Sequence, residues 1–524
     1  MVAFGVAKAI SLAQTVIIAR AFGVSAEWDA YVAANSIPEL IFTLIAGGAL
    51  AHAFIPVFSG FLARGDNQGA WRTATHVINT VFSVTLVVSV VAFLAAPWLV
   101  ATVVAPGFEA AAQAQTVELM RILLLSTLIF SVSGISMGIL QSHNHFLLPA
   151  LAPIMFDIGI LFGVLFLLDQ FGVNGVAMGA VLGAALHFGV QVPGLIHYRA
   201  RWWPELGLRD PTLWRILRLM LPRIAGLGVF SLNFIVMNNI ASRLGEGSVS
   251  ALSWGWRLMQ IPQTLIGTAM GTVIFPTLAA LSELGDEEGK RGAMSGALRF
   301  IMIASIPSAV GLIFVGQPLI SLLERGAFDA SASALVYNTL RFFALGIIAH
   351  SALEVVARSF YADKDTLTPL WAALGGAAIN LVLSFTLSGV AAVEADPTQN
   401  TGNVGGLALA NTIGTAFEVG VLLFILRRRW HGIHENALAS TTLKTLAASL
   451  VMAVAIVIVN ALWVSTGLAE RGLAFTIAQI ALETIVGVLV FLGVAFALRM
   501  DELRTMLTLV LRRDKAKVVE TFTS

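Results

Sequence analysis

The 524-residue chain contains no cysteine, which excludes disulfide staples, thiolate metal sites and cysteine nucleophiles. Charge is almost as scarce. Asp, Glu, Lys and Arg make up 12% of the residues against 57% hydrophobic ones, and the mean hydropathy is +0.86. No soluble globule of this length could cover itself with so little polar surface. The short alternating strands of a membrane barrel are missing too. So are a Walker loop, a Gly-rich strand-to-helix nucleotide turn and a His-Glu-x-x-His pair, and no catalytic constellation, cofactor site or nucleic-acid surface is read from the chain. The largest internal connection, about 197 to 215, is too short for an ATP-hydrolysing domain. Any work done must come from an ion gradient or the membrane potential.

What the chain does have is a succession of apolar runs of about twenty residues, the length of a helix crossing a bilayer. Fourteen are read, from 2–22 and 36–60 through 250–280 to 441–465 and 472–498. Lys and Arg accumulate in every second connection, at Arg64 and Arg72, Arg199 to Arg215, Lys290 and Arg291, Arg358 and Lys364, and Arg427 to Arg429. These connections are assigned to the cytoplasm, as are both termini. The intervening loops are nearly free of basic residues and face outward. The basic tail reads as a solvated anchor of topology, with contact to anionic lipid as the alternative. The first run has no cleavage site before a soluble domain and reads as a span, not a signal peptide.

Pro56, Gly65, Asp66, Phe108 and Pro149 recur as Pro276, Gly285, Asp286, Phe328 and Pro369, each 220 residues later (276 − 56, 285 − 65, 286 − 66, 328 − 108, 369 − 149). One membrane unit is written twice. Each copy has an even number of spans, six, so the halves share a topology and are expected to be related by an axis along the membrane normal, with a substrate path between them. The expected architecture is an all-α polytopic membrane protein of about fourteen transmembrane helices. A six-helix lobe spans 1–200, a second spans 211–430, two unpaired helices cover 440–498, and a basic cytoplasmic tail covers 499–524. Glycines such as Gly175, Gly179, Gly183, Gly375 and Gly376 serve close helix packing. Pro38 and Pro262 are expected to kink their helices.

Ionisable groups within apolar runs are costly in lipid and turn toward protein or a wet cavity. Lys8, Glu39, Asp157, Arg223, Arg257, Arg341, Glu354, Glu418 and Glu483 are of this kind. Arg257, in Ser253-Trp-Gly-Trp-Arg257-Leu-Met-Gln-Ile-Pro262, is placed to hold an anionic headgroup, against the alternatives of snorkelling or pairing with a carboxylate. Lys8 holds the corresponding stretch of the first half. Glu354 and Glu418 are candidates for ion coupling, or else neutralise Arg341 or Arg358. Asp157 and Asn380 lie at similar depth in their halves, at the cavity edge or bonding helix to helix. His52, His187 and His350 lack metal-ligand spacing and read as packing residues.

The segments Ala19-Arg-Ala-Phe-Gly23, Asp29-Ala-Tyr-Val-Ala-Ala, Ala53-Phe-Ile-Pro56, Ala105-Pro-Gly-Phe108, Gly267-Thr-Ala-Met-Gly-Thr-Val-Ile-Phe-Pro276 and Phe360-Tyr-Ala362 resemble landmarks of MurJ/MviN-type lipid II flippases, members of the multidrug/oligosaccharidyl-lipid/polysaccharide exporter superfamily. The likeness runs end to end and includes the last two spans. It implies alternating-access transfer of lipid-linked peptidoglycan precursor, an undecaprenyl pyrophosphate glycan, across a bacterial cytoplasmic membrane. It carries substrate-contact roles onto Lys8, Arg257 and Asp29. The chain also departs from the pattern: Gln14 and Phe42 stand where such flippases carry arginines, Gly47 where they carry a Glu, and Trp256 and Gln260 where they carry acidic residues. A flippase for another polyprenyl-linked oligosaccharide is therefore the neighbouring reading. An ion-coupled drug antiporter of the same superfamily, with twelve spans and an acidic cavity, is a third.

Overall fold

The computed structural model describes residues 2–46, 48–395, 402–467 and 472–500, with the side chains of 2–9, 46, 48–52, 222, 223, 394 and 395 outside the described set. All regular structure among the described residues is helical. Twelve helical segments there are long and apolar enough to cross a membrane, and shorter apolar helices occupy Ile10–Phe22 and Ala53–Ala63. Those two stretches lie in the first and second runs expected from the sequence, so the expected count of about fourteen falls to twelve by this measure. The second run falls short because a π turn at Phe42–Ala46 separates the helix Ala26–Ile41 from Gly48–Ala63.

The duplication read from prolines and Gly-Asp pairs extends to the helix ends. Ala110–Ser142 and Ala330–Ala362 both contain 33 residues and start and stop 220 residues apart. Their ends are alike for a local reason. A left-handed residue follows each helix, Asn144 at φ 58° and Lys364 at φ 61°, and the next amide turns back onto the helix, His145 to the Leu140 carbonyl and Asp365 to the Phe360 carbonyl, each at 2.9 Å. This closure satisfies carbonyls that the last turn leaves open. At the other repeated landmark, Gly65 and Gly285 take φ 74° and 69°, a region that favours glycine. Asp66 and Asp286 follow them and accept the Gly69 and Gly289 amides at 2.8 Å, capping the helices Asn67–Leu99 and Glu287–Ser321.

By compactness the chain forms two units, Met1–Ser250 with Gly326–Phe328 and Ala251–Arg325 with Asp329–Ser524. This boundary differs from that of the repeat. The helix Pro211–Ala241, which the repeat opens as the second copy, packs in the first unit, where Leu213, Ile216 and Met220 share a core with Phe54, Phe58 and Trp71. Close packing in this unit rests on absent side chains: a Cβ on Gly159 would stand 2.2 Å from Gly183 Cα, between the helices Leu147–Phe162 and Val173–Gly189.

In the second unit Leu278, Met294, Ile301, Val355, Phe360, Leu422 and Trp430 form the main core. Gly376 and Gly414 bring the helices Leu367–Leu387 and Val404–Arg429 together, a Cβ on Gly376 standing 2.8 Å from the Gly414 carbonyl oxygen. The unpaired last helices, Glu435–Ser465 and Leu473–Ala497, pack on Glu287–Ser321 through Ile303, Val315, Met452, Ile456 and Phe491. Their outer faces leave Leu450, Val454 and Leu489 exposed, as suits contact with lipid.

Candidate translocation site

Arg257 lies in the helix Ser248–Gln263, whose Trp254 and Met259 are buried while Arg257 and Gln260 are exposed. Among the described residues its guanidinium has no hydrogen-bond or ion-pair partner. The cation is thus held on a packed helix and left open to an external anion, the geometry that charge-assisted binding of phosphate requires. The indole of Trp256, its neighbour, meets Phe343 and His350 at 5.4 and 5.2 Å. Beyond Arg257 the expected kink is present as a π turn, Thr264–Thr268, just after Pro262. Proline offers no amide to the preceding turn, and the wider turn accommodates the loss.

Asp29 occupies a different kind of place. It is 2% exposed, and its carboxylate accepts the Gly247 amide at 2.7 Å, the Ser250 amide at 2.6 Å and the Ser250 hydroxyl at 2.5 Å. It caps the start of the helix Ser248–Gln263 from a distant segment. Both oxygens are engaged within the protein. Lys8 falls in the helix Val2–Phe22, and its side chain lies outside the described residues, as does that of Arg223. Gln14 is buried, and the Phe42 ring meets Phe130 at 5.2 Å in the π turn. Gly47 lies outside the described residues.

The ion-coupling candidates separate. Glu354 pairs with Arg358 one turn later, the neutralising arrangement set against coupling in the sequence reading. Glu418, half-buried in the helix Val404–Arg429, has no polar partner among the described residues. Asn380 is 2% exposed on the adjoining helix and accepts the Ser384 hydroxyl at 3.1 Å. A Cβ on Gly376 would stand 3.3 Å from Glu418 Cβ and one on Gly414 3.0 Å from Asn380 Cβ, so both candidates belong to one glycine-lined seam.

Of the histidines read as packing residues, His187 contacts the Ser133 hydroxyl at 2.6 Å, with the Gln191 amide donating to the same hydroxyl at 2.8 Å. His350 meets the Asn411 side chain at 3.1 Å. The His52 side chain lies outside the described residues. Sequence reading listed Glu483 only as one ionisable group among nine. The structure buries it completely and gives it the amides of Gln479 and Asn460. Gln479 stands four residues before it, a spacing visible in sequence; Asn460 comes from another helix and is not.

Between the spans lie polar clasps. His76 meets Asp210 at 2.9 Å and Glu205 at 3.4 Å, and Arg72 reaches Glu205 at 3.3 Å. Burial pushes the Asp210 carboxyl up, but hydrogen bonds from His76 and the Thr212 amide outweigh it and hold the group below the usual aspartate range. In the second unit Asp365, partly buried and bonded by Thr368 and Arg429, is held low in the same way. Lys290 binds Asp363 at 2.9 Å and lies over the Trp430 ring at 5.2 Å.

Long apolar helices in two internally repeated sets, with an unpartnered arginine held on a packed helix, define a multi-pass membrane protein of the duplicated-transporter class. The family model "Lipid II flippase MurJ" matches residues 18–475. Similar proteins include the lipid II flippase MurJ of Burkholderia cenocepacia, 30% identical over 82% of this chain and 82% of its own length. The probable lipid II flippase MurJ of Rhizobium tropici is 30% identical over 87% of this chain and 85% of its own. In fold the chain is similar to a lipid II flippase MurJ in an inward closed conformation, with a TM-score of 0.76 at 23% identity over 96% of this chain and 99% of that one. It is also similar to an inward-facing multidrug resistance MATE transporter, with a TM-score of 0.66 at 17% identity over 81% of this chain and 95% of that one. The chain belongs to the lipid II flippase MurJ family.

Proposed function

We propose that this protein is a lipid II flippase, carrying the lipid-linked peptidoglycan precursor from the inner to the outer leaflet of a bacterial cytoplasmic membrane by alternating access, with both termini in the cytoplasm. The observation that carries the reading is Arg257, an exposed guanidinium without a partner among the described residues of a chain in this family. The substrate's pyrophosphate needs such a cation, and Lys8 is the second one proposed. Asp29 acts on the substrate indirectly, by fixing the start of the helix that bears Arg257. Glu418 beside Asn380 is the proposed ion-coupling position, supported by its lack of a neutralising cation. No catalytic chemistry is required for transfer between leaflets.

The test is precursor translocation in cells carrying Arg257→Ala. A charge-assisted hydrogen bond is worth about 1.5 to 3 kcal/mol, so translocation is expected to fall by roughly 10- to 150-fold. Undiminished flipping would remove Arg257 from the site. A second reading, export of another polyprenyl-linked oligosaccharide, is favoured by Gln14 and Phe42, which supply no charge where the family pattern has arginines. Complementation of a flippase-depleted bacterium distinguishes the two: rescue supports lipid II, and failure with a well-expressed chain supports the other glycan.

A further inference from the structure

The last two helices have no counterpart in the repeat, and they enclose a carboxylate that the site described above does not use. Glu483 lies near the middle of Leu473–Ala497 and is 0% exposed. Its Oε1 accepts from the Gln479 side-chain amide at 2.9 Å and from the Asn460 side-chain amide at 3.1 Å. Its Oε2 has no hydrogen-bond partner among the described residues. Both donors therefore serve one oxygen, and nothing in the protein answers the charge on the other. A bare carboxylate so deep in an apolar helix pair would cost several kcal/mol.

Charged side chains elsewhere do not relieve it. The helices packed against Leu473–Ala497 are Glu435–Ser465 and Glu287–Ser321. Their charged residues, Glu435 and Lys444 on the first and Glu287, Glu288, Lys290, Arg291 and Arg299 on the second, all lie toward the opposite ends of those helices. Lys444 is 16 residues from Asn460 (460 − 444), roughly 24 Å along a helix rising about 1.5 Å per residue. The nearest charges at the Glu483 end are Glu324 and Arg325, both exposed.

Glu324 and Arg325 line a cavity of about 630 Å³ together with Gln317, Ser321 and Thr476, and both amide partners of Glu483 line it too. It opens at the helix ends that loop charge assigns to the outside. The geometry points to Glu483 as a proton-binding site that exchanges with the outer aqueous phase through this cavity. A proton on Oε2 makes the group neutral without any protein cation. When the proton leaves, the Asn460 and Gln479 amides are already in place to hold the anion. The site is then poised between two states by features of opposite sign, complete burial and two fixed donors. Its role in driving flipping rests on the proposed function; its protonation does not.

The test uses the full chain in lipid bilayers and reads protonation directly, by infrared difference spectroscopy across a pH step. The wild type is expected to show a carboxylic-acid carbonyl band on the acid side, Glu483→Gln to lose it, and Glu418→Gln to keep it. Glu483→Asp, which retains an acid, should show a displaced band and guards against a misfolded Gln variant. A band unchanged by Glu483→Gln overturns the proposal, as does one that answers to sodium exchange and not to pH. In the transport arm, a proton-driven wild type gains up to about tenfold in rate per unit of pH gradient, and Glu483→Gln should flatten that dependence. A wild type that moves no precursor overturns the flippase reading, while the infrared band still decides for or against Glu483.

Discussion

Removing the Asp29 side chain would leave two backbone amides and the Ser250 hydroxyl facing a buried gap. Asp29→Ala is expected to destabilise the first unit by about 3 kcal/mol, and Asp29→Asn, which keeps an acceptor, by about 1 kcal/mol. Thermal unfolding in detergent measures both. If Asp29 served only as a substrate contact, transport would fall with no change in the unfolding midpoint, and the capping role would be lost. The aspartate itself was conspicuous in the sequence, but its partners were not: Gly247 lies 218 residues away (247 − 29), and no local pattern announces such a bond. Arg257 and Glu354 show the same limit. Both were legible as ionisable groups in apolar helices, while the fact that one is partnered by Arg358 and the other by nothing described is set by tertiary packing.

Among helices and turns, the duplicated Gly-Asp pair was the most legible signal, because it encodes a complete local structure. A left-handed glycine ends one helix and an aspartate caps the next. Since the two caps are made at equal distances in separate units, Asp66→Ala and Asp286→Ala should each cost about 1 kcal/mol. The double variant should be additive to within about 0.5 kcal/mol. Unequal single losses in a urea or thermal titration would show that the repeated residues no longer do the same work. The π turns were only half legible. Pro38 and Pro262 announced a kink, yet its form depends on how the freed carbonyls are met by neighbouring helices.

At the scale of the whole chain, composition and hydropathy disclosed the class and the repeat disclosed the duplication, but not where the compact units divide. That boundary follows from the packing of Pro211–Ala241 on Phe54, Phe58 and Trp71, a long-range choice that span order alone does not contain. The clasps between spans give both units a common response to acid. Asp210 and Asp365 are held below the ordinary aspartate value in the fold, so the unfolded segments bind protons more readily. The stabilisation is complete above the unfolded value, near pH 4, and fades as pH falls through the lower folded values. Hydrogen exchange of 203–210 and 363–368 should accelerate over that window; exchange indifferent to it would show that the clasps carry no stability. Finally, each π turn holds about one residue more than an α turn. Deleting a single residue between Thr264 and Thr268 would let the helix run straight, but it would turn everything after the cut by about 100°. Met270, Ile274 and Leu278, now facing the core, would swing aside. The surplus residue works as a phase setting that keeps two stretches of one helix addressed to different neighbours, and it makes this short turn intolerant of a change in length that an exposed loop would absorb.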